Sequence, residues 1–309
     1  MSTPISMVDA SADLERRFGG LRRLYGDAGY RRLRAARVAV VGLGGVGSWA
    51  AEALARSGVA RLVLIDLDHV AESNINRQVQ ALGATLGMAK AEALRRRIAD
   101  IHPGCEVHTV EEFAGPDNWP SLLPAEVDVL IDACDQSAAK LALAAWALQT
   151  GTAAVCVGAA GGKQSAQRVE VADLAEVTHD PLLASLRQRL RKQGAPRQGR
   201  IGLACVFSRE NVAVPVTEAG GATDGVTGGV TGGATGGATG AATDAATDGT
   251  TGAATASSTD RTTDGEAGGS TDGTLNCSGY GSSVTVTATF GLVAAGEAIR
   301  QCIAARIAR

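Results

Sequence analysis

Aromatic side chains are scarce: four Phe, three Tyr and three Trp make up 3% of 309 residues. A core must therefore rest on Val, Leu, Ile and Ala, and stacking platforms for single-stranded nucleic acid are not evident. The six cysteines (Cys105, Cys134, Cys156, Cys205, Cys277 and Cys302) contain no C-x-x-C pair, which argues against a structural zinc site. Their scatter through apolar contexts fits buried, reduced thiols of a cytoplasmic protein, with Cys205 the one to test as a nucleophile. The four histidines (His69, His102, His108, His179) lack metal-ligand spacing. No apolar run is convincing as a membrane span. Asp9, Asp13 and Glu15 lie where a secretion signal needs basic and then apolar residues.

Charge is unevenly spread. The formal net charge is −3, but the stretch 216–275 holds six Asp and two Glu against one Arg, leaving the remainder at +4. A mildly basic remainder is compatible with an RNA substrate. The stretch 216–275 is nearly all Gly, Ala, Thr, Asp and Ser, and has no aromatic, Leu or Ile before Leu275. Such a composition does not bury enough apolar surface to offset ordering entropy, so a disordered insertion is expected. The expected organisation is a flexible N-terminus (1–15), a nucleotide-binding domain (16–215), the insertion (216–275), and a strand and helix (276–309) completing the same domain.

The rest alternates between apolar runs and helical patterns. Arg37–Val41, Arg61–Ile65, Val107–Val110, Val127–Asp132 and Ala153–Val157 read as strands. Helices are expected from Ser48 to about Arg56, over Met88–Ile101, and over Ser137–Gln149. This alternation implies a doubly wound, Rossmann-like, mostly parallel α/β sheet. Near the C-terminus, the alternation in Ser283–Thr289 (SVTVTAT) suggests a strand, followed by a helix over Phe290–Ala304.

Gly42-Leu-Gly44-Gly45-Val-Gly47 sits between the first strand and its helix. Small residues there let backbone approach phosphate, and helix N-terminal amides point at the anion. Asp66 ends the second strand, where an acid can bond ribose hydroxyls. The chain continues through Asp68, Ser73-Asn74-Ile-Asn76-Arg77-Gln78 and Gly87-Met-Ala-Lys90. Arg77 and Lys90 are cations suited to a triphosphate and to charge on departing pyrophosphate. Asp135 follows another strand end and is suited to holding Mg²⁺ against phosphates, or to capping the next helix.

Together, GLGGVGS…LIDLD…SNINRQ…GMAKAE…IDACD resembles the adenylating superfamily of MoeB, ThiF, HesA and the ubiquitin-activating enzymes. The match covers about Phe18–Gly158. The resemblance implies that Gly42, Gly44, Gly45 and Gly47 cradle ATP phosphates, with Asp66, Asp68 and Gln78 also contacting nucleotide. It implies catalytic roles for Asn74, Arg77 and Lys90, with Asp135 supporting Mg²⁺. A homodimer is also implied, with Arg17, Arg22 or Arg23 reaching into the partner's site. Further motifs are similar to a branch of tRNA-modifying dehydratases: Arg17-Phe-Gly-Gly, Gly158-Ala-Ala-Gly-Gly, Asp180-Pro-Leu and Cys205-Val-Phe-Ser208. That branch implies adenylation and cyclisation of N6-threonylcarbamoyladenosine at position 37 of tRNA, and an association with a cysteine desulfurase or sulphur acceptor. Gly161-Gly-Lys-Gln-Ser-Ala-Gln-Arg-Val169 departs from the Asp-Pro-containing version expected there.

The basic run Arg187, Arg189, Arg191, Lys192, Arg197 and Arg200 is either a phosphate-tracking stripe or a solvated helix face. Three alternative functions stand beside the tRNA reading. One is adenylation of the C-terminal Gly-Gly of a ubiquitin-like sulphur carrier, which the missing C-x-x-C pairs disfavour. The others are a nicotinamide-dependent oxidoreductase, which the glycine loop alone would admit, and a non-catalytic nucleotide-binding scaffold.

Overall fold

The computed structural model describes residues 12–213 and 280–304. The expected insertion, 216–275, lies outside them. Seven strands form one sheet in the order β3-β2-β1-β4-β5-β7-β6: β1 Arg37–Val41, β2 Arg61–Ile65, β3 Glu106–Val110, β4 Val129–Asp132, β5 Ala153–Val157, β6 Val169–Asp173 and β7 Ala204–Ser208. All neighbours are parallel except β6 and β7. The helices are α1 Leu14–Phe18, α2 Gly20–Ala35, α3 Gly47–Arg56, α4 Lys90–Ile101, α5 Ser137–Thr150, α6 Pro181–Lys192 and α7 Val284–Ala304. The sheet reverses its winding between β1 and β4, and ligands of such sheets bind beyond the strand ends at that switch point.

Both faces of the sheet are covered, and the strand sequences show why. Side chains alternate in direction, so Val38, Val40, Leu62, Leu64, Val129, Ile131, Val155 and Val157 enter one core with α3, α4 and α7. Their neighbours Ala39, Val41, Val63, Ile65 and Leu130 pack on Trp119, Leu122 and Leu143 of the opposite face. Toward β7, Cys156, Cys205 and Phe207 meet Leu183, Leu186 and Leu190 of α6. Strands buried on both faces need continuous apolar runs, which is why they are easily read in sequence.

Two expectations need correction at the ends of the described regions. Residues Leu14 and Glu15, placed in a flexible N-terminus, are helical; Asp13 caps α1 by accepting from the Arg16 N–H at 2.9 Å. The expected strand over Ser283–Thr289 is the first part of α7. Val286, Phe290, Ala294 and Ala298 recur every four residues, and each is fully buried against the sheet and α3. That burial outweighs the strand preference of alternating Val and Thr. The hydroxyls of Thr287 and Thr289 donate to the carbonyls four residues back, at 3.2 and 2.7 Å, so they too are satisfied in a helix. Strands β6 and β7 and helices α1, α2 and α6 were not delineated from periodicity; β6 is only half-buried and lacks a long apolar run.

Candidate active site

At the end of β1 the chain turns through Gly42–Gly47 into α3. Gly42 has φ +84°, and a Cβ there would lie 2.8 Å from the Cys134 nitrogen and 2.9 Å from the Ala133 carbonyl oxygen. Only glycine makes this turn while passing the end of β4 so closely. A Cβ on Gly47 would sit 1.8 Å from the Gly42 oxygen. Gly44 is different: nothing lies within 4 Å of an added Cβ, so its face stays open to a ligand. The N-terminus of α3 lies behind the loop, equivalent to roughly half a positive charge.

Asp66 at the end of β2 splints this loop. Its Oδ2 accepts from the Leu43 N–H at 2.5 Å and its Oδ1 from the Asp68 N–H at 2.9 Å. Burial pushes the Asp66 carboxyl up, opposed by the Lys90 ammonium and these two N–H groups. Lys90 begins α4; its Nζ stands 2.6 Å from Asp68 Oδ2 and 3.9 Å from Asp66 Oδ1. Arg77 Nη1 donates to the Ser73 carbonyl at 2.5 Å and to Asn76 Oδ1 at 3.0 Å, while the Trp49 indole holds the Arg77 carbonyl at 3.0 Å. Asn74 accepts from the Ala71 N–H at 3.0 Å and so fixes its own turn.

These groups surround a cavity of about 290 Å³. Gly42, Gly44 and Gly45 line it, as do Asp66, Asp68, Asn74, Arg77, Gln78, Lys90 and Asp135. Gly47 is set back from it and serves the packing of loop on helix. Sequence reasoning missed Glu112 and Phe113 beyond β3, together with Val212, Tyr280 and Thr287. It also missed Gln80, buried behind the lining, whose Nε2 donates to the Leu43 carbonyl at 3.0 Å and to Gln78 Oε1 at 3.2 Å. The one available signal for Gln80 was its membership of the polar run Arg77-Gln-Val-Gln80.

Beneath the β4 end lies a buried ion pair. Lys140 Nζ donates to Asp132 Oδ2 and to the Val157 carbonyl, both at 2.9 Å. Burial disfavours the charged lysine, but Asp132, through its charge and hydrogen bond, together with the neighbouring Cys156 and Cys134 more than offsets this and keeps the ammonium charged. The Cys134 thiol, at the cavity edge, donates to Asp132 Oδ1 at 2.9 Å; burial and that carboxylate push it well above the usual thiol range. It stays protonated at neutral pH and is a poor nucleophile. Cys205, the cysteine singled out for testing, is buried in β7 among leucines.

The basic residues of α6 divide. Arg187, Arg191 and Lys192 line an open groove of about 490 Å³ together with Gln188 and Arg197. Arg189 points elsewhere, donating to the Ser137 carbonyl at 3.0 Å, because two helical residues of rotation carry it off that face. Arg187 also holds the Leu174 and Val177 carbonyls, at 3.0 and 2.8 Å. Of the N-terminal arginines, Arg17 holds the last carbonyls of α4 (Asp100 and Ile101), and Arg22 pairs with Glu15 and Asp27. Arg23 is exposed.

A doubly wound sheet with a glycine loop, a splinting aspartate and two cations at its switch point defines a nucleotide-binding α/β protein of the adenylating class. The chain belongs to the ThiF family, whose model matches residues 18–306. It is 37% identical over 292 residues to the tRNA threonylcarbamoyladenosine dehydratase of Escherichia coli (strain K12), a match covering 93% of this chain and 94% of that one. The enzyme of the same name from Haemophilus influenzae is 39% identical over 212 residues, covering 68% and 81%. The solved structure of the E. coli dehydratase in complex with ATP is 33% identical with a TM-score of 0.72, covering 95% of this chain and 96% of that one. Its complex with AMP gives 0.71 at 34% identity, covering 95% and 97%.

Proposed function

We propose that this chain dehydrates N6-threonylcarbamoyladenosine at position 37 of tRNA, driven by ATP. The observation that carries the reading is the single cavity that unites the glycine loop, Asp66, Arg77, Lys90 and Asp135. Its likeness to dehydratases over nearly the whole chain supports the substrate.

ATP lies with its phosphates against the Gly42–Gly45 backbone and the α3 N-terminus, and with its ribose on Asp66. A carboxylate oxygen of the threonyl group attacks the α-phosphorus, forming an acyl-adenylate and releasing pyrophosphate. Arg77 and Lys90 stabilise the charge gathering on the leaving oxygens. Lys90 is already held by Asp68, so little reorganisation is needed when the phosphates arrive. The ureido nitrogen then attacks the activated carbonyl, the ring closes, and the carboxylate oxygen leaves on AMP. No covalent enzyme intermediate is required, in keeping with the protonated Cys134.

Among the described residues no cluster of three His, Cys, Asp or Glu side chains is arranged to hold a metal. Asp135, one of three exposed carboxylates lining the cavity with Asp68 and Glu112, suits Mg²⁺ that arrives on the nucleotide and takes most of its ligands from phosphate and water. When bound, Mg²⁺ neutralises phosphate charge. The α6 groove takes tRNA backbone phosphates. In a homodimer, Arg23 is the N-terminal arginine left to reach the partner's site.

The test is mass spectrometry of nucleosides from threonylcarbamoylated tRNA incubated with protein and Mg-ATP. Appearance of a nucleoside lighter by one water supports the proposal. Unchanged nucleosides, with ATP demonstrably bound, overturn it and direct attention to protein Gly-Gly tails.

A further inference from the structure

Lys163 stands in the stretch whose sequence departs from the family pattern, and its side chain is only 3% exposed. Its ammonium contacts no carboxylate. It donates instead to three backbone carbonyls: His179 at 3.2 Å, Ser208 at 3.4 Å, and Glu210. Burial lowers its pKa, while the nearby Asp180 and Glu210 charges oppose that shift. A buried cation is costly unless its donors are satisfied. This one spends all three donors on main chain from two loop regions, the turn before α6 and the end of β7 with the turn after it.

Each of those loops connects to the cavity wall at Gly158–Gly161. His179 is the one non-glycine residue with positive φ (+59°) among the described residues, a conformation that must be held by its surroundings. It precedes Asp180, whose Oδ2 accepts from the Ala159 N–H at 2.8 Å and whose Oδ1 caps α6 at the Leu183 N–H at 2.9 Å. The Glu210 carboxylate accepts from the Gln164 and Ser165 N–H groups at 2.8–3.1 Å. Beside Lys163, the Gly162 carbonyl accepts from the Ala213 N–H at 2.8 Å, and the Gly162 N–H donates to the Gly281 carbonyl at 3.0 Å. Val212 and Tyr280, flanking those bonds, line the cavity. Among the described residues Lys163, Asp180 and Glu210 make no hydrogen bond to Asp66, Arg77 or Lys90; the Arg77 side meets only the edge of the cluster, where Asn76 Nδ2 donates to the Ser282 carbonyl at 3.0 Å.

We propose that Lys163 is a positioning residue that locks the wall opposite the nucleotide loop, and so sets where the carboxylate-bearing substrate is held without affecting nucleotide binding. The idea rests on the proposed adenylation at this site. Lys163→Ala removes the ammonium, and propylammonium replaces the missing portion of the side chain. Lys163→Met keeps the apolar stem alone.

The experiment pairs three readouts on the full chain. Binding of a non-hydrolysable ATP analogue is expected to stay within about twofold of wild type. Pyrophosphate release with threonylcarbamoylated tRNA is expected to fall about 10–100-fold in both variants, as for a small displacement of a reacting group. Added propylammonium is expected to restore much of it in Lys163→Ala and none in Lys163→Met. Hydrogen exchange is expected to rise at 158–165 and 209–213 in Lys163→Ala and to return with propylammonium. Equal loss of nucleotide binding, unchanged turnover, or turnover lost without rescue each overturns the proposal, as does a variant that fails to fold. If wild type does not act on the tRNA, the functional reading fails while the exchange data still decide whether Lys163 locks the wall.

Discussion

The two walls of the cavity are built on different principles. The nucleotide side draws on one continuous stretch, Gly42–Lys90, joined by the ends of β3 and β4. The opposite side is gathered from Gly158–Gly161, Leu182, Val212, Tyr280 and Thr287, residues far apart in the chain. A phosphate loop needs backbone amides, small residues and a helix start, all of which are local. The opposite wall is made by tertiary contacts between loops, and those contacts run through the buried charges Lys163 and Asp180 and the half-buried Glu210. On the proposed function, the first wall serves the nucleotide and the second faces the substrate.

This comparison is open to direct tests. Arg77→Ala acts on the nucleotide side and is expected to lower pyrophosphate release about 100–1,000-fold, as for loss of one transition-state donor. If its effect were confined to tRNA binding, the division of labour would be wrong. Next is the ion pair under the floor. Lys140→Met leaves Asp132 buried without its partner and is expected to cost about 3–5 kcal/mol in urea denaturation; adding Asp132→Leu should recover most of that, because the orphaned charge goes too.

Asp173, which ends β6 beside the start of β7 and outside both walls, gives a smaller effect with a definite sign. Burial would raise its carboxyl, but N–H donors at Ala175, Ile201 and Gly202, with the Arg200 charge, hold it below the usual range. A depressed folded value adds stability above the unfolded carboxylate pKa of about 3.9, and that stability is lost as pH falls through the folded value. Asp173→Asn is expected to remove about 1.5–3 kcal/mol at neutral pH and to flatten the acid limb of a stability-versus-pH curve. A steeper acid limb in the variant would refute the assignment. The smallest effect is expected from Lys192→Glu in the α6 groove: tRNA affinity falling several-fold with a shallower salt dependence, and ATP affinity unchanged. An equal change with Arg189→Glu would show that the groove is not what tRNA meets, since Arg189 lies outside it.

Much of the nucleotide wall was legible in sequence, because its chemistry and spacing are local: Asp66 falls at a strand end, Lys90 at a helix start. Gly47 was read as a ligand contact, yet its place in the same motif serves packing. The SVTVTAT segment misled for a different reason. Alternation of Val and Thr is a strand pattern in isolation, and only the continuation of Val286 into Phe290, Ala294 and Ala298 against the sheet makes it a helix. Phe290, fully buried, is the pivot of that choice; its truncation to alanine removes burial of the order of 3–5 kcal/mol.

Local periodicity determined the parallel sheet, and the glycine loop with the Asn74–Lys90 motifs pointed to the adenylating class, because strand burial, tight turns and helix termini are properties of a few consecutive residues. Only the tertiary structure decided that Lys163 is an internal clamp rather than a surface lysine, that Arg187 and Arg189 part company on α6, and that Thr287 reaches the cavity from a C-terminal helix. Those outcomes depend on which carbonyls and apolar faces meet across long stretches of chain, and a charge or a hydroxyl carries no local record of the partner it will find.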